Sequence, residues 1–126
     1  MITNNGFDKN IEKIIVDSNL NHKYNILSGD CSSVAKAINE IFGGEIMAIS
    51  SVSEEQFFDH LVVKINGRLY DGRGMVSWSQ VEDEFVSDDS WTEHKKHWFK
   101  VTDITEDSMY SEDLTKEIMT VILRNT

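Results

Sequence analysis

Cys31, His60 and Asp71 are the residues whose types and order could do chemistry together. Cys31 is the only cysteine, and it follows Ser28-Gly29-Asp30 where a loop turns into an amphipathic helix. A helix N-terminus offers partial positive charge and open N–H groups, and both favour a thiolate over a thiol. The same N–H groups can hold the oxyanion that forms when a thiolate attacks a carbonyl. A histidine in reach takes the thiol proton, and an aspartate fixes the tautomer and orientation of that histidine. The chemistry expected is acyl transfer through Cys31, with His60 as base and Asp71 as orienter. Cys31 and Ser32 would contribute backbone N–H groups to the oxyanion hole. A side-chain donor can come from Asn25, Tyr24 or Ser28 just upstream, and Asn25 is the best equipped because its amide has two donors.

The elements that must position these residues are readable from periodicity. Ile11, Ile14 and Ile15 mark a short helix over 8–18, and 19–25 is polar and turn-like. Cys31, Val34, Ala35, Ile38, Ile41 and Phe42 fall at helical spacing, with Asp30 as N-cap and Gly43-Gly44 as stop. Residues 45–51 form a mostly buried strand, and 53–58 read as a helical turn or an irregular connection. His60-Leu61-Val62-Val63-Lys64-Ile65 and Arg68-Leu69-Tyr70-Asp71 flank Asn66-Gly67, the strongest short hairpin signal, and Gly72-Arg73-Gly74 ends the return strand.

That hairpin carries a geometric expectation. With a two-residue turn, Ile65 pairs with Arg68 and Val62 with Asp71. His60 then lies diagonally across from Asp71 on one face, about 7–8 Å away at the backbone and within side-chain reach. Beyond it, 77–86 read as a helix with a Ser77/Gln80 capping box. A polar loop carrying Trp91 follows, then a strand over 97–104 and a last helix opened by Ser111, with Leu114, Ile118, Val121 and Ile122 on one face. The order α, α, β, β, β, α, β, α around an antiparallel hairpin is an α+β pattern.

Composition bounds the function. The 126 residues fit one domain spanning the whole chain, 1–126. Asp and Glu number 22 against 12 Lys and Arg, a net charge of −10, so neither nucleic acid nor an anionic membrane surface is an expected partner. The single cysteine and the start of the chain, with neither a basic nor an apolar leader region, point to the cytoplasm. No motif calls for a cofactor. His94 and His97 have the spacing of a metal pair without an accompanying cysteine or carboxylate motif, and they read as a solvated basic loop. The acidic runs Glu54-Glu55, Glu82-Asp83-Glu84 and Asp88-Asp89 read as solvated charge. The three tryptophans read as core filling or partial cover.

At the chemistry-bearing residues the chain resembles the papain-like cysteine peptidase superfamily in its compact form. Gly29-Asp30-Cys31-Ser32-Ser33-Val34 is similar to the start of the nucleophile helix in NlpC-type cell-wall peptidases, and His60 to Gly67 to their histidine strand and turn. The Cys, His, Asp order and the hairpin from His60 to Gly74 also resemble the transglutaminase-like branch. Ser33 and Val62 stand where the cell-wall enzymes carry glycine. The resemblance covers about residues 24–74 and implies a nucleophile helix packed on a small antiparallel sheet. It implies a thiol hydrolase or amidase acting on a protein or peptide: peptidase, deamidase or transamidase. Small domains of this kind occur as toxins, effectors and phage proteins. The rival expectation is a non-catalytic acidic binding module or inhibitor on the same scaffold. In it Cys31 is a small buried hydrophobe, His60 is structural and Asp71 is a turn residue.

Overall fold

The computed structural model describes residues 4–27, 29–50, 59–85, 97–104 and 109–126. It is α+β: five helices and a five-stranded antiparallel sheet among the described residues. The elements run α1 (Asn4–Ser18), α2 (Leu20–Lys23), α3 (Cys31–Phe42), β1 (Glu45–Ser50), β2 (His60–Ile65) and β3 (Arg68–Asp71). They continue with β4 (Gly74–Val76), α4 (Trp78–Phe85), β5 (His97–Val101) and α5 (Glu112–Leu123). The sheet order is β4-β3-β2-β1-β5.

The hairpin register matches the expectation. Ile65 pairs with Arg68, Lys64 with Leu69 and Val63 with Tyr70. Asn66 and Gly67 both take positive φ, as a type I′ turn requires. Four readings differ from the structure. The first helix begins four residues earlier, at Asn4. The polar stretch after it holds the one-turn helix α2, anchored by buried Leu20. The return strand ends at Asp71 as expected, but Gly74 opens a further strand, β4, whose Gly74 and Val76 are buried. The strand after the loop stops at Val101 rather than Ile104. The expectations for 53–58 and for the loop carrying Trp91 and His94 lie outside the described residues.

Pleat alternation divides the core in two. Ile46 and Ala48 of β1, Leu61, Val63 and Ile65 of β2 and Tyr70 of β3 face α1, α3 and α5 in the larger cluster. Ile49, Val62 and Leu69 face the other way and pack with Val76 and Val81 of α4 in the smaller one. Caps match the sequence here: Ser77 Oγ accepts from Gln80 N at 3.1 Å, and Ser111 Oγ from Leu114 N at 3.1 Å. Ser111 also ties α5 to α3, because its N–H donates to Ser33 Oγ at 3.1 Å. None of the described helices is long and apolar enough to cross a membrane.

The turn between α3 and β1 positions the nucleophile candidate. Gly43 and Gly44 take φ of 81° and 88°. A Cβ on Gly44 would sit 2.5 Å from the Lys64 carbonyl oxygen, so helix and sheet meet here at backbone contact. Gly44→Ala is expected to cost about 3 kcal/mol. Gly43→Ala, with nothing within 4 Å of its added Cβ, is expected to lose about 1 kcal/mol from backbone strain alone. Urea unfolding of both variants checks the difference, and equal losses would refute the close approach at Gly44.

Candidate functional site

His60 opens β2 and Asp71 closes β3, so the antiparallel register brings both to one end of the sheet. They are bonded there. His60 Nε2 lies 2.9 Å from Asp71 Oδ2, with the side chains 0% and 3% exposed. An ionised carboxylate only accepts, so Nε2 carries the proton, and Nδ1 is the basic nitrogen of the neutral ring.

Asp71 is held on its other side by Arg73, a residue that in the sequence reads only as part of a strand-ending turn. The Arg73 backbone N–H donates to Oδ1 at 2.9 Å. Its Nε reaches both carboxylate oxygens at 3.2 Å, and its Nη2 donates to Oδ2 at 2.8 Å. The remaining guanidinium nitrogen, Nη1, donates to Glu84 Oε2 on α4 at 2.6 Å. Burial pushes the Asp71 carboxyl up, but the hydrogen bonds from His60 and Arg73 outweigh it and hold the group below its ordinary value near 3.8. The acidic run on α4 is therefore not simply solvated charge: Glu84 pairs with Arg73, and Glu82 accepts from Trp98 Nε1 at 3.0 Å. The available signal for Arg73 was an arginine two residues past an aspartate, between glycines that let the turn fold its side chain back.

Cys31 is the first residue of α3 and is 8% exposed. Two constraints carry it to the same end of the sheet. First, α3 reverses through Gly43-Gly44 into β1, and its rise of about 18 Å is close to the span of about 20 Å covered by β1. The start of α3 is thus level with the end of β1, where Ile49 pairs with His60. Second, residues 25–30 close on themselves: Asp30 N donates to Asn25 O at 3.1 Å, and Asn25 N donates to Asp30 Oδ2 at 2.8 Å. Ile26 in that loop lies against Gly72, where an added Cβ would stand 2.6 Å from its Cγ2. The loop entering α3 thus touches the residue that follows Asp71.

The loop also changes one expectation. Asp30 occupies the N-cap position, but its carboxylate makes no cap bond, because it closes the loop onto Asn25 instead. The Asn25 side chain is exposed, and its backbone makes the loop closure. Ser32 is fully buried, and its Oγ has no hydrogen-bond partner among the described residues. Ser28 and His94 lie outside the described residues, and His22 is exposed.

Pleat parity qualifies the arrangement. His60 pairs with Ile49, and both belong by alternation with Val62 on the α4 side, whereas Cys31 packs in the cluster beneath α3. His60 and Asp71 are terminal residues of their strands, so a thiol–imidazole contact would be made around the end of the sheet rather than across its face. No group of three or more His, Cys, Asp or Glu among the described residues could hold a metal ion.

The lowered Asp71 pKa has a signed consequence. Its contribution to stability is complete above the unfolded value and is lost as pH falls through the lower folded value. Asp71→Asn is expected to be less stable than wild type at neutral pH, with the gap narrowing below about pH 4. Urea unfolding as a function of pH checks this, and a gap that stays constant would sink it. Comparison of the chain with protein-family models, with curated proteins and with solved structures returned no match.

Proposed function

We propose that the protein is a thiol hydrolase or amidase working through an acyl-enzyme at Cys31, on a papain-like or transglutaminase-like arrangement of nucleophile helix and antiparallel sheet. The observation that carries the reading is the buried His60–Asp71 bond through Nε2, at the end of the sheet that the start of α3 also reaches. It leaves Nδ1 as the nitrogen that would take the thiol proton. In the proposed step, the Cys31 proton passes to Nδ1 and the thiolate adds to an amide carbonyl carbon. The oxyanion sits against the leading N–H groups of α3, those of Cys31 and Ser32. Collapse breaks the C–N bond, and the imidazolium returns its proton to the departing amine. Water or a second amine then attacks the thioester while His60 takes its proton, and Cys31 is released. The substrate class is a protein or peptide amide. Peptide cleavage, glutamine deamidation and transamidation share the intermediate and differ in what leaves and what attacks. The proposed setting is the cytoplasm.

A second reading is favoured by pleat parity and by the Arg73–Glu84 pair. In it the buried polar chain only ties α4 to the sheet, Cys31 is core, and the acidic surface engages a basic protein partner. Because Cys31 is the only cysteine, iodoacetamide separates the two readings cleanly. The thiol reading expects an apparent pKa well below the free value of about 8.5. It also expects His60→Ala to slow alkylation at neutral pH by about tenfold, as a rise of one pKa unit would. A cysteine that reacts only when the chain unfolds would establish the second reading.

A further inference from the structure

The guanidinium of Arg73 stands between two carboxylates, and only one of them touches His60. It meets Asp71 along its Nε–Nη2 edge and Glu84 through Nη1. The backbone N–H of Arg73 joins the same grip on Oδ1. Each Asp71 oxygen therefore has a fixed place, with Oδ2 shared between His60 and Arg73.

We propose that Arg73 is a positioning residue for this site: it fixes the Asp71 carboxylate on the Nε2 side of His60 and, balanced by Glu84, sets how readily that ring accepts a proton. The proposal rests on the thiol reading above only for its catalytic consequence; the His60–Asp71–Arg73–Glu84 chain is there under either reading.

The electrostatics give each member a sign. Asp71 favours the imidazolium, Arg73 opposes it, and Glu84 offsets Arg73. With His60 neutral the four groups sum to one negative charge, and protonating the ring brings them to zero. Asp59, the residue before His60 in the chain, is exposed, and α3 carries Cys31 in the cluster on the other face of the sheet. Glu82 of α4 is engaged by Trp98. The neighbour from β1 is Ile49, which carries no charge.

A residue that only tied α4 to the sheet would change stability when altered, without changing His60 in a signed way. The test is the titration of His60 in the full chain, followed by proton–carbon NMR of the imidazole and assigned with His60→Gln. Glu84→Gln is expected to lower the midpoint and Arg73→Gln to raise it. Arg73→Lys keeps the charge and loses the fork, so its midpoint should return toward wild type. Should Arg73→Gln fail to fold, Arg73→Lys and the half-exposed Glu84→Gln decide the matter. Midpoints unchanged from wild type in Glu84→Gln, shifts of one sign in Arg73→Gln and Glu84→Gln, or a ring that keeps one charge state across the folded range in every variant would each overturn the proposal. Cys31 alkylation on the same samples separates the two ideas. A shifted His60 with an inert Cys31 retains the positioning role and removes the thiol reading. A reactive Cys31 with an unshifted His60 does the opposite.

Discussion

A carboxylate left 3% exposed must be paired or protonated, and Asp71 is paired. That requirement organises the end of the sheet. Burial alone would raise its pKa and favour the neutral acid. Instead the carboxylate collects an imidazole N–H from β2, a backbone N–H and a guanidinium from the turn after β3, and through that guanidinium a link to α4. Each partner comes from a different element. The polar chain therefore fixes where the end of β2, the β3–β4 turn and α4 sit relative to one another. Arg73 is suited to this because a planar fork can face one carboxylate along an edge and a second through its remaining nitrogen.

The other organising constraint is steric. α3 and β1 are joined by two glycines, and at Gly44 the backbone approaches Lys64 too closely for any side chain. Such a short connection leaves the helix one course, back along the strand it precedes. The start of α3 then arrives opposite the end that holds His60 and Asp71. Ile26 against Gly72 closes the same arrangement from the loop side. Two glycines far apart in sequence, Gly44 and Gly72, thus set the distance between the helix and the buried pair from opposite ends.

Much of this was legible in the sequence, for physical reasons that differ by element. Asn66-Gly67 is readable because few residue pairs accept positive φ twice, and the register that follows places His60 beside Asp71 without further information. The α3 helix is readable from its apolar spacing and glycine stop. β4 was not legible: three residues between a glycine turn and a helix carry too little pattern, and their burial comes from α1 and β3 around them. The side chain of Asp30 went to loop closure rather than capping, a competition that depends on the path of the loop. Arg73 and Glu84 are eleven residues apart, and only the packing of α4 on the sheet joins them. The composition did not reveal that one residue of the acidic run on α4 serves a buried network.

The two readings of the site make different demands on that network. A tether between α4 and the sheet needs complementary hydrogen bonds, which neutral amides or apolar side chains of similar shape supply with less desolvation than four ionisable groups. A base needs something a tether does not: a charge state that becomes more favourable when the ring takes a proton. Asp71, Arg73 and Glu84 together carry one negative charge beside a neutral His60, so protonating the ring completes the balance. The same charge count orients the ring, since an ionised Asp71 requires Nε2 to donate and turns the lone pair to Nδ1. Direction comes from the pleat: parity aims the imidazole from the α4 side, and the thiol arrives from beneath α3. The end of the sheet is where the two approaches converge, with His60 the first residue of β2 and Asp71 the last of β3. The reactivity of one thiol therefore reports on the geometry of the whole end of the sheet.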